Sequence, residues 1–208
     1  MKLKDYHKRT LVVVLGILLY SLIYNLIQEI TTRGVSINTA LDIVIPFIPV
    51  FVLFYILWYP VVITPFILTL KDKTLFKKTA FSFSIIAVCS FAVYLIYQTE
   101  ITRAVISSTD IFSRMVSYIY LHDMPINCFP SLHVSGSVLA NLCVMNFNKK
   151  FAVFMIPITI LIVLSTLFIK QHFVLDVVGG ILLAFGAYLL VFEVNWDRLK
   201  EQLVAFRV

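Results

Sequence analysis

The fold is decided by residues 151–194, which read FAVFMIPITILIVLSTLFIKQHFVLDVVGGILLAFGAYLLVFEV. Two long apolar runs, 151–169 and 173–194, enclose a short polar segment. A helix that crosses the ~30 Å hydrocarbon core of a bilayer needs about 20 mostly apolar residues. Both runs have about that length, and neither alternates with the period of two that barrel strands show. They therefore predict two membrane-spanning helices joined by a polar connection.

The composition of the whole chain agrees with this interpretation. Of its 208 residues, 61% are apolar and 13% are charged, and the mean hydropathy is +0.97. Soluble domains average about 45–50% apolar and about 25% charged residues. The three cysteines, Cys89, Cys128 and Cys143, show no metal-ligand spacing. These values exclude a soluble single-domain enzyme, a disordered chain and a disulfide-stapled secreted module.

Four further apolar runs extend the pattern toward the N-terminus. The six predicted spans are 11–27, 45–70, 79–97, 131–147, 151–169 and 173–194. We therefore predict an all-α integral membrane six-helix bundle that forms one domain over residues 1–208. The second run contains four prolines, which are expected to kink it. The first run follows basic residues, so a signal peptide is the alternative, but no small-residue cleavage pattern follows Ile27.

Basic residues predict the orientation of the bundle. Thirteen of the 17 Lys and Arg residues fall in segments 2–9, 71–78, 149–150 and 198–207. Six spans place all four segments on one face, which the positive-inside rule assigns to the cytoplasm, together with both termini. Topology thus explains the net charge of +6, and a nucleic-acid partner is not expected. The small size and short loops suggest a bacterial plasma membrane.

The longest predicted connection, 98–130, lies on the opposite face. Its apolar residues recur at roughly helical spacing, namely Ile101, Val105, Phe112, Met115, Val116 and Ile119. This spacing favours an amphipathic helix at the membrane interface, with a solvated loop as the alternative. At the C-terminus, Trp196, Leu199, Leu203 and Phe206 are compatible with either a short amphipathic tail or a solvated one.

Two histidine segments on this outer face carry candidate chemistry. His172 and Asp176 are spaced i, i+4, so on a helix the carboxylate can accept a hydrogen bond from one imidazole nitrogen and leave the other free to attack or to accept a proton. A structural His–Asp pair is the alternative. Pro130 and Ser131 suit a helix start, where Ser131 can cap the helix or bind an anion. The free amides there could also bind phosphate, close to His133.

These motifs resemble the type 2 phosphatidic acid phosphatase superfamily, which includes sphingomyelin-synthase-like transferases and vanadium haloperoxidases. That superfamily has a basic segment ending in Arg-Pro, then Pro-Ser-Gly-His, then Ser-Arg-x5-His-x3-Asp. Here Pro130-Ser131-Leu132-His133 is similar to the second motif, and His172-x-x-x-Asp176 is similar to the end of the third. The resemblance covers roughly residues 80–190, and the ordered pair of histidine motifs between spans is specific.

The resemblance implies a role for each matching residue. His172 would attack phosphorus to form a phosphohistidine, Asp176 would orient it, and His133 would protonate the leaving group. The phosphoryl oxygens would be held by Arg103, Ser131 and the amides near Leu132 and His133. The resemblance implies no metal and no cofactor.

The sequence departs from the family pattern at the expected cations. Arg103 is followed by Ala104 instead of Pro, Ile96 stands where a further basic residue is expected, and Thr166 replaces the Arg of Ser-Arg. Leu132 replaces the Gly of Pro-Ser-Gly-His. Lys170 is a candidate substitute for a missing cation, with an interfacial lysine that reaches for headgroups as the alternative.

The expected function is therefore that of a membrane lipid phosphatase with its active site on the extracytoplasmic face. A lipid phosphate and the surrounding membrane lipids would be its partners. Candidate substrates are polyprenyl diphosphate, phosphatidic acid and phosphatidylglycerophosphate. Two alternatives remain open at this stage: a phosphotransferase that passes a headgroup to another lipid, and a non-catalytic lipid-phosphate binder or transporter. The oligomeric state is not predicted.

Overall fold

The computed structural model describes residues 3–31 and 33–195, and helices account for most of this part of the chain. Its helices are α1 (Leu3–Ile30), α2 (Ala40–Val44), α3 (Val52–Ile56), α4 (Trp58–Thr69), α5 (Lys73–Ile96), α6 (Ile111–His122), α7 (Leu132–Phe147), α8 (Lys149–Phe168) and α9 (Val174–Tyr188). A 3₁₀ turn, Pro49–Phe51, precedes α3, and a π-helical segment, Leu189–Glu193, continues α9. Two short strands, β1 (Val35–Ser36) and β2 (Thr99–Glu100), pair in parallel.

Five helical stretches of the described chain are long and apolar enough to cross a membrane. They are Asp5–Ile30, Pro49–Thr69, Lys73–Ile96, Lys149–Phe168 and Val174–Glu193. The remaining predicted span, 131–147, forms α7, an apolar helix of 16 residues that is shorter than the other five. At 1.5 Å per residue α7 is about 24 Å long, against ~30 Å of hydrocarbon. The protein is an all-α membrane protein, and a sixth complete span stays a prediction.

Helix α7 lies at the centre of the molecule. It packs against α4, α5, α8 and α9, and ten of its 16 residues are buried. Its contacts with α9 are especially close because a Cβ atom added at Gly180 would lie 2.7 Å from the Ser131 carbonyl oxygen and 2.9 Å from Val134 Cβ. The absence of a side chain at Gly180 therefore allows α9 to pack directly against the start of α7.

The second predicted span differs from its sequence-based bounds. Residues 45–48 are not helical, and the helical path begins at the 3₁₀ turn of Pro49 and continues through α3 and α4. The physical reason is proline chemistry: a proline lacks the N–H of a helix interior but suits the first helical position. The break at 45–48 leaves α2 as a separate helix, while Pro65 is accommodated inside α4.

The helix predicted in the connection 98–130 is present only in its second half. Asp110 caps α6 by accepting hydrogen bonds from the amides of Phe112 and Ser113, so Ile101 and Val105 lie outside the helix. Ile101 instead donates its amide hydrogen to the Pro125 carbonyl. The fully buried Val116 of α6 packs in a cluster with residues of α3 and of the α8–α9 turn, so protein covers part of the apolar face predicted to meet the membrane.

Residues of two basic segments, Arg9 and Lys78, make contacts at one end of the bundle. Arg9 donates to the Leu70 carbonyl at 2.5 Å, and Lys78 Nζ lies 5.2 Å from the centre of the Phe192 ring. The start of α1, the end of α4, the start of α5 and the π segment therefore share this end. Which side of the membrane it faces stays a prediction, and the predicted tail from Trp196 onward lies outside the described residues.

Candidate active site

The turn between α8 and α9 contains His172 and leads into the His172-x-x-x-Asp176 motif. Lys170 adopts a left-handed conformation (φ 53°) directly after the C-cap residue Ile169. The amides of Lys170 and Gln171 donate to the carbonyls of Leu167 and Thr166, the hydrogen-bond pattern of a Schellman motif. The amide of His172 also donates to the Thr166 carbonyl, at 3.1 Å. This network fixes the backbone immediately before His172.

His172 faces the buried carboxylate of Asp176. Nδ1 of His172 lies 3.4 Å from Oδ2 of Asp176, and Asp176 is completely buried. Oδ2 also accepts a hydrogen bond from the Phe173 amide at 2.8 Å. The spacing was expected to place both residues on one helical face, but α9 begins only at Val174, so His172 lies just before the helix. The two groups lie within ion-pair distance, although Nδ1 makes no hydrogen bond to a described residue, and Nε2 is the ring nitrogen that does not face the carboxylate.

The motif Pro130-Ser131-Leu132-His133 forms the start of α7. Ser131 is its N-cap and accepts a hydrogen bond from the Val134 amide at 3.3 Å, which confirms the predicted capping role. The amides of Leu132 and His133 belong to the first turn and have no carbonyl partner within the helix. Ser131 N–H donates to the Asp176 carbonyl at 3.1 Å. The two motifs are thus hydrogen-bonded to each other through the backbone.

His133 is held by two aromatic side chains from the proline-rich segment. Its ring stacks on Tyr55 with centroids 4.1 Å apart and lies 4.6 Å from the Trp58 ring. Tyr55 Oη lies 3.4 Å from His133 Nδ1. Nε2 of His133 is buried and has no hydrogen-bond partner in the described part of the chain. The rings of His133 and His172 are 6.3 Å apart, centroid to centroid.

Both histidines line a cavity of about 680 Å³. Its wall is mainly apolar and aromatic, and its helical part comes from α1, α3, α4, α5, α6 and α7. The polar groups near the histidines include Gln171, Asn127 and Asp123. Asp123 Oδ1 accepts hydrogen bonds from Tyr24 and Gln28, both at 2.8 Å, and so anchors α1 at this end. The cavity combines a mainly apolar wall with a polar end, and the imidazoles of His122, His133 and His172 line it.

Arg103 lies beside this polar end without lining the cavity. Its guanidinium donates to the carbonyls of Tyr120 and Asp123 and to Gln171 Oε1, the last at 2.9 Å. It also lies over the Tyr120 ring at 4.4 Å. Burial lowers the pKa of Arg103, and the Asp123 carboxylate opposes this shift. Arg103, the predicted phosphate ligand, thus contacts Gln171, the residue that precedes His172.

Lys170 is directed toward the end of α2. Its Nζ donates to the carbonyls of Asp42 at 3.0 Å and Ile45 at 2.6 Å. Burial lowers the pKa of Lys170, and nearby Asp42 opposes this shift. Lys170 is not among the described residues that line the cavity. Leu132, the replacement for the family glycine, does line it, and packs against Ile27 and Tyr94.

Several residues around the site were not predicted from sequence. The Tyr55 and Trp58 rings belong to a segment predicted only as a kinked span, and Asp42 belongs to no motif. Asp42 accepts a hydrogen bond from the Val174 amide at the start of α9, at 2.8 Å. In the sequence, the one signal for Asp42 is its position at the edge of an apolar run. An acidic side chain in a membrane costs free energy, so such a residue is a candidate functional residue.

Comparisons with known proteins agree with the motifs. A family model described as PAP2 superfamily matches residues 34–190, which include both histidine segments. A search of curated proteins found no significant match. A search of solved structures likewise found none. The family match covers about three quarters of the chain, and on this basis the protein belongs to the PAP2 superfamily, the type 2 phosphatidic acid phosphatases.

Proposed function

We propose that this protein is a membrane lipid phosphatase that hydrolyses a lipid phosphate or diphosphate through a phosphohistidine. The observation that carries the proposal is the pair of histidine rings 6.3 Å apart at the polar end of an apolar cavity. One of these rings contacts a completely buried aspartate. Membership of a superfamily that generally comprises phosphatases supports the same reaction class.

In the proposed first step, His172 Nε2 attacks phosphorus. An N–P bond forms while a P–O bond breaks, so that the lipid alcohol leaves from a monophosphate and the lipid-linked phosphate leaves from a diphosphate. The Asp176 carboxylate, 3.4 Å from Nδ1, stabilises the positive charge that the ring then carries. His133 donates a proton to the departing oxygen, as a general acid does. The first-turn amides of α7 are available to the phosphoryl oxygens, and the helix N-terminus favours negative charge.

In the second step, a water molecule attacks the phosphohistidine. His133, now neutral, accepts a proton from this water, the N–P bond breaks, and inorganic phosphate leaves. His172 is regenerated, so the reaction consumes one water per phosphate. The apolar cavity is suited to the hydrocarbon part of the substrate, because transfer of apolar surface from water to an apolar wall is favourable. We propose that this site opens on the extracytoplasmic face, as the distribution of basic residues suggests.

The proposal is tested by phosphate release from purified protein. Polyprenyl diphosphate, phosphatidic acid and phosphatidylglycerophosphate are each offered with and without an acceptor lipid, and a His172→Ala protein is the control. Release without an acceptor is the expected result. Product that forms only with an acceptor would instead support a phosphotransferase. Binding of a lipid phosphate without any product would support a non-catalytic binder.

A further inference from the structure

Two primary amides at the polar end of the cavity have unused donors. Gln171 and Asn127 are 4% and 2% exposed, and both line the cavity with His133 and His172. Within residues 3–31 and 33–195, neither Gln171 Nε2 nor Asn127 Nδ2 has a hydrogen-bond partner. Buried donors without a partner are rare and costly in folded proteins. Two such donors beside one cavity indicate a ligand that accepts hydrogen bonds.

The orientation of the Gln171 amide follows from its neighbour Arg103. A guanidinium has only donors, so the group that it contacts must be an acceptor. Arg103 lies 2.9 Å from the Gln171 side-chain amide, which must therefore present Oε1 to it. The NH₂ group of Gln171 then has to point away from Arg103. Arg103 therefore fixes the orientation of the Gln171 amide, so that its NH₂ group is the part available to a ligand.

The orientation of Asn127 follows from Gln98 by the same logic. The backbone amide of Asn127 donates to Gln98 at 3.2 Å, so the Gln98 atom at that position is Oε1. Gln98 Nε2 is then the donor that lies 2.6 Å from the Asn127 side chain and must meet its oxygen. This leaves the Asn127 NH₂ group free. Asn127 has a left-handed backbone (φ 61°), a conformation that asparagine tolerates better than most residues.

Among the described residues that line the cavity, none is a lysine or an arginine. Thr166 stands where the family pattern has arginine, and its hydroxyl donates to the Val163 carbonyl. Ile96, where a further cation is expected, is 85% exposed. Arg103 donates to the Tyr120 carbonyl and to Gln171. Lys170 donates to the Asp42 carbonyl. Phosphoryl oxygens bound here therefore need other donors.

We propose that Gln171 and Asn127 hold the phosphoryl oxygens of the substrate, with neutral amide donors in place of the missing cations. Arg103 and Gln98 act as positioning residues, since each fixes the direction of one NH₂ group. This inference rests on the proposed function for the identity of the natural ligand. The binding chemistry itself, two amide donors for one phosphate group, can be measured with a simple anion.

The test measures binding of inorganic phosphate and of orthovanadate to the purified full-length protein in detergent. Calorimetry gives the affinity, and ligand-dependent thermal stabilisation gives a second readout. Gln171→Glu and Asn127→Asp keep the oxygen that faces Arg103 or Gln98 and replace only the NH₂ group. Gln171→Met removes the donor without adding charge. Asn38→Asp makes the same amide-to-acid change at an exposed position and is the matched control.

We expect phosphate to bind the parent and the Asn38→Asp protein equally. Gln171→Met should weaken binding roughly tenfold or more, and the two acidic variants by roughly 10- to 100-fold or more, as for loss of hydrogen bonds to a charged group. If a variant binds phosphate as tightly as the parent, the substituted residue does not belong to the phosphate site. Two such residues, or a parent that binds no phosphate, overturn the proposal. If the parent binds phosphate but releases none from any lipid, the proposed function fails while this inference stands.

Discussion

His172 and His133 have different surroundings, and these suit different steps. The Nδ1 atom of His172 faces a buried carboxylate at 3.4 Å, an arrangement that stabilises positive charge on the ring after Nε2 forms a bond. His133 lacks such a carboxylate and is stacked instead on Tyr55. Without a fixed carboxylate counter-ion, His133 is less suited than His172 to bear the positive charge of a covalent adduct. We therefore assign covalent chemistry to His172 and proton transfer to His133.

Replacement of His172 by alanine should abolish turnover while the protein still folds and inserts. The covalent route has no second nucleophile, because His133 is needed as the acid. Phosphate release from a lipid phosphate, measured on purified protein, is the assay. His7→Ala is the control, since His7 is exposed on α1 and far along the chain from both motifs. Turnover above a few per cent of the parent in a well-folded His172→Ala protein would contradict the assignment.

Replacement of His133 by alanine should slow formation of the phosphoenzyme by roughly 10²- to 10⁴-fold, as for loss of a general acid. The loss should be smallest for substrates whose leaving group needs little protonation. Single-turnover rates for an activated aryl phosphate and for a lipid phosphate make the comparison. Equal losses for the two substrates would show that His133 is not the acid.

At the scale of elements, the site depends on how closely α9 approaches the start of α7. The Ser131 amide donates to the Asp176 carbonyl, and Gly180 lies against the Ser131 carbonyl. Both contacts involve backbone atoms, which cannot move aside as the end of a flexible side chain can. The distance between the two histidine motifs is therefore set by helix packing as well as by the motif residues.

Gly180→Ala should lower the free energy of unfolding by roughly 1–3 kcal/mol, as for overpacking of a tight contact, and should also reduce turnover. Gly186→Ala in the same helix is the matched control, since an added Cβ there meets nothing within 4 Å. It should be neutral or stabilise by up to about 1 kcal/mol through helix propensity. Thermal or denaturant unfolding in mild detergent measures both variants. Equal stability of the two would show that the close approach at Gly180 is not required.

The helices also show how much of this structure can be predicted from a single sequence. Long apolar runs predicted α5, α8 and α9 because hydrophobic length is a local property of the chain. The break at 45–48 and the late start of α6 depend on specific caps and on pairing with distant segments, so run length alone missed them. Motif spacing likewise predicted His172 and Asp176 as partners. The aromatic contacts of His133 and the orientation of Gln171 arise only from tertiary packing.

At the scale of the whole molecule, the cavity extends from the two histidine motifs toward the start of α5. The polar end of the cavity holds the histidines, and Arg9 and Lys78, from two of the basic segments, lie at the end where α5 begins. Along α5 the lining extends from Phe76 to Tyr94, about 27 Å at 1.5 Å per residue. A lipid chain can therefore lie in the cavity while its phosphate stays at the polar end.

The orientation is tested by cysteine labelling in intact cells. Ser107 and Lys71 are exposed residues of the two opposite connections. A Ser107→Cys protein should react with a membrane-impermeant thiol reagent, and a Lys71→Cys protein should react only after the membrane is permeabilised. The parent, which contains Cys89, Cys128 and Cys143, gives the background. The reverse pattern would place the histidines on the cytoplasmic side.

The most direct test of the central claim is to trap the phosphoenzyme. Purified protein is mixed with a lipid phosphate labelled in its phosphate, quenched with base within a turnover, and digested for peptide mapping. Phosphohistidine survives base and is lost in acid, which distinguishes it from a phosphoester. We predict base-stable, acid-labile label on the peptide that contains His172, and none in the His172→Ala protein. Phosphate release from the parent without such label, or with the label on another residue, would contradict the proposed mechanism.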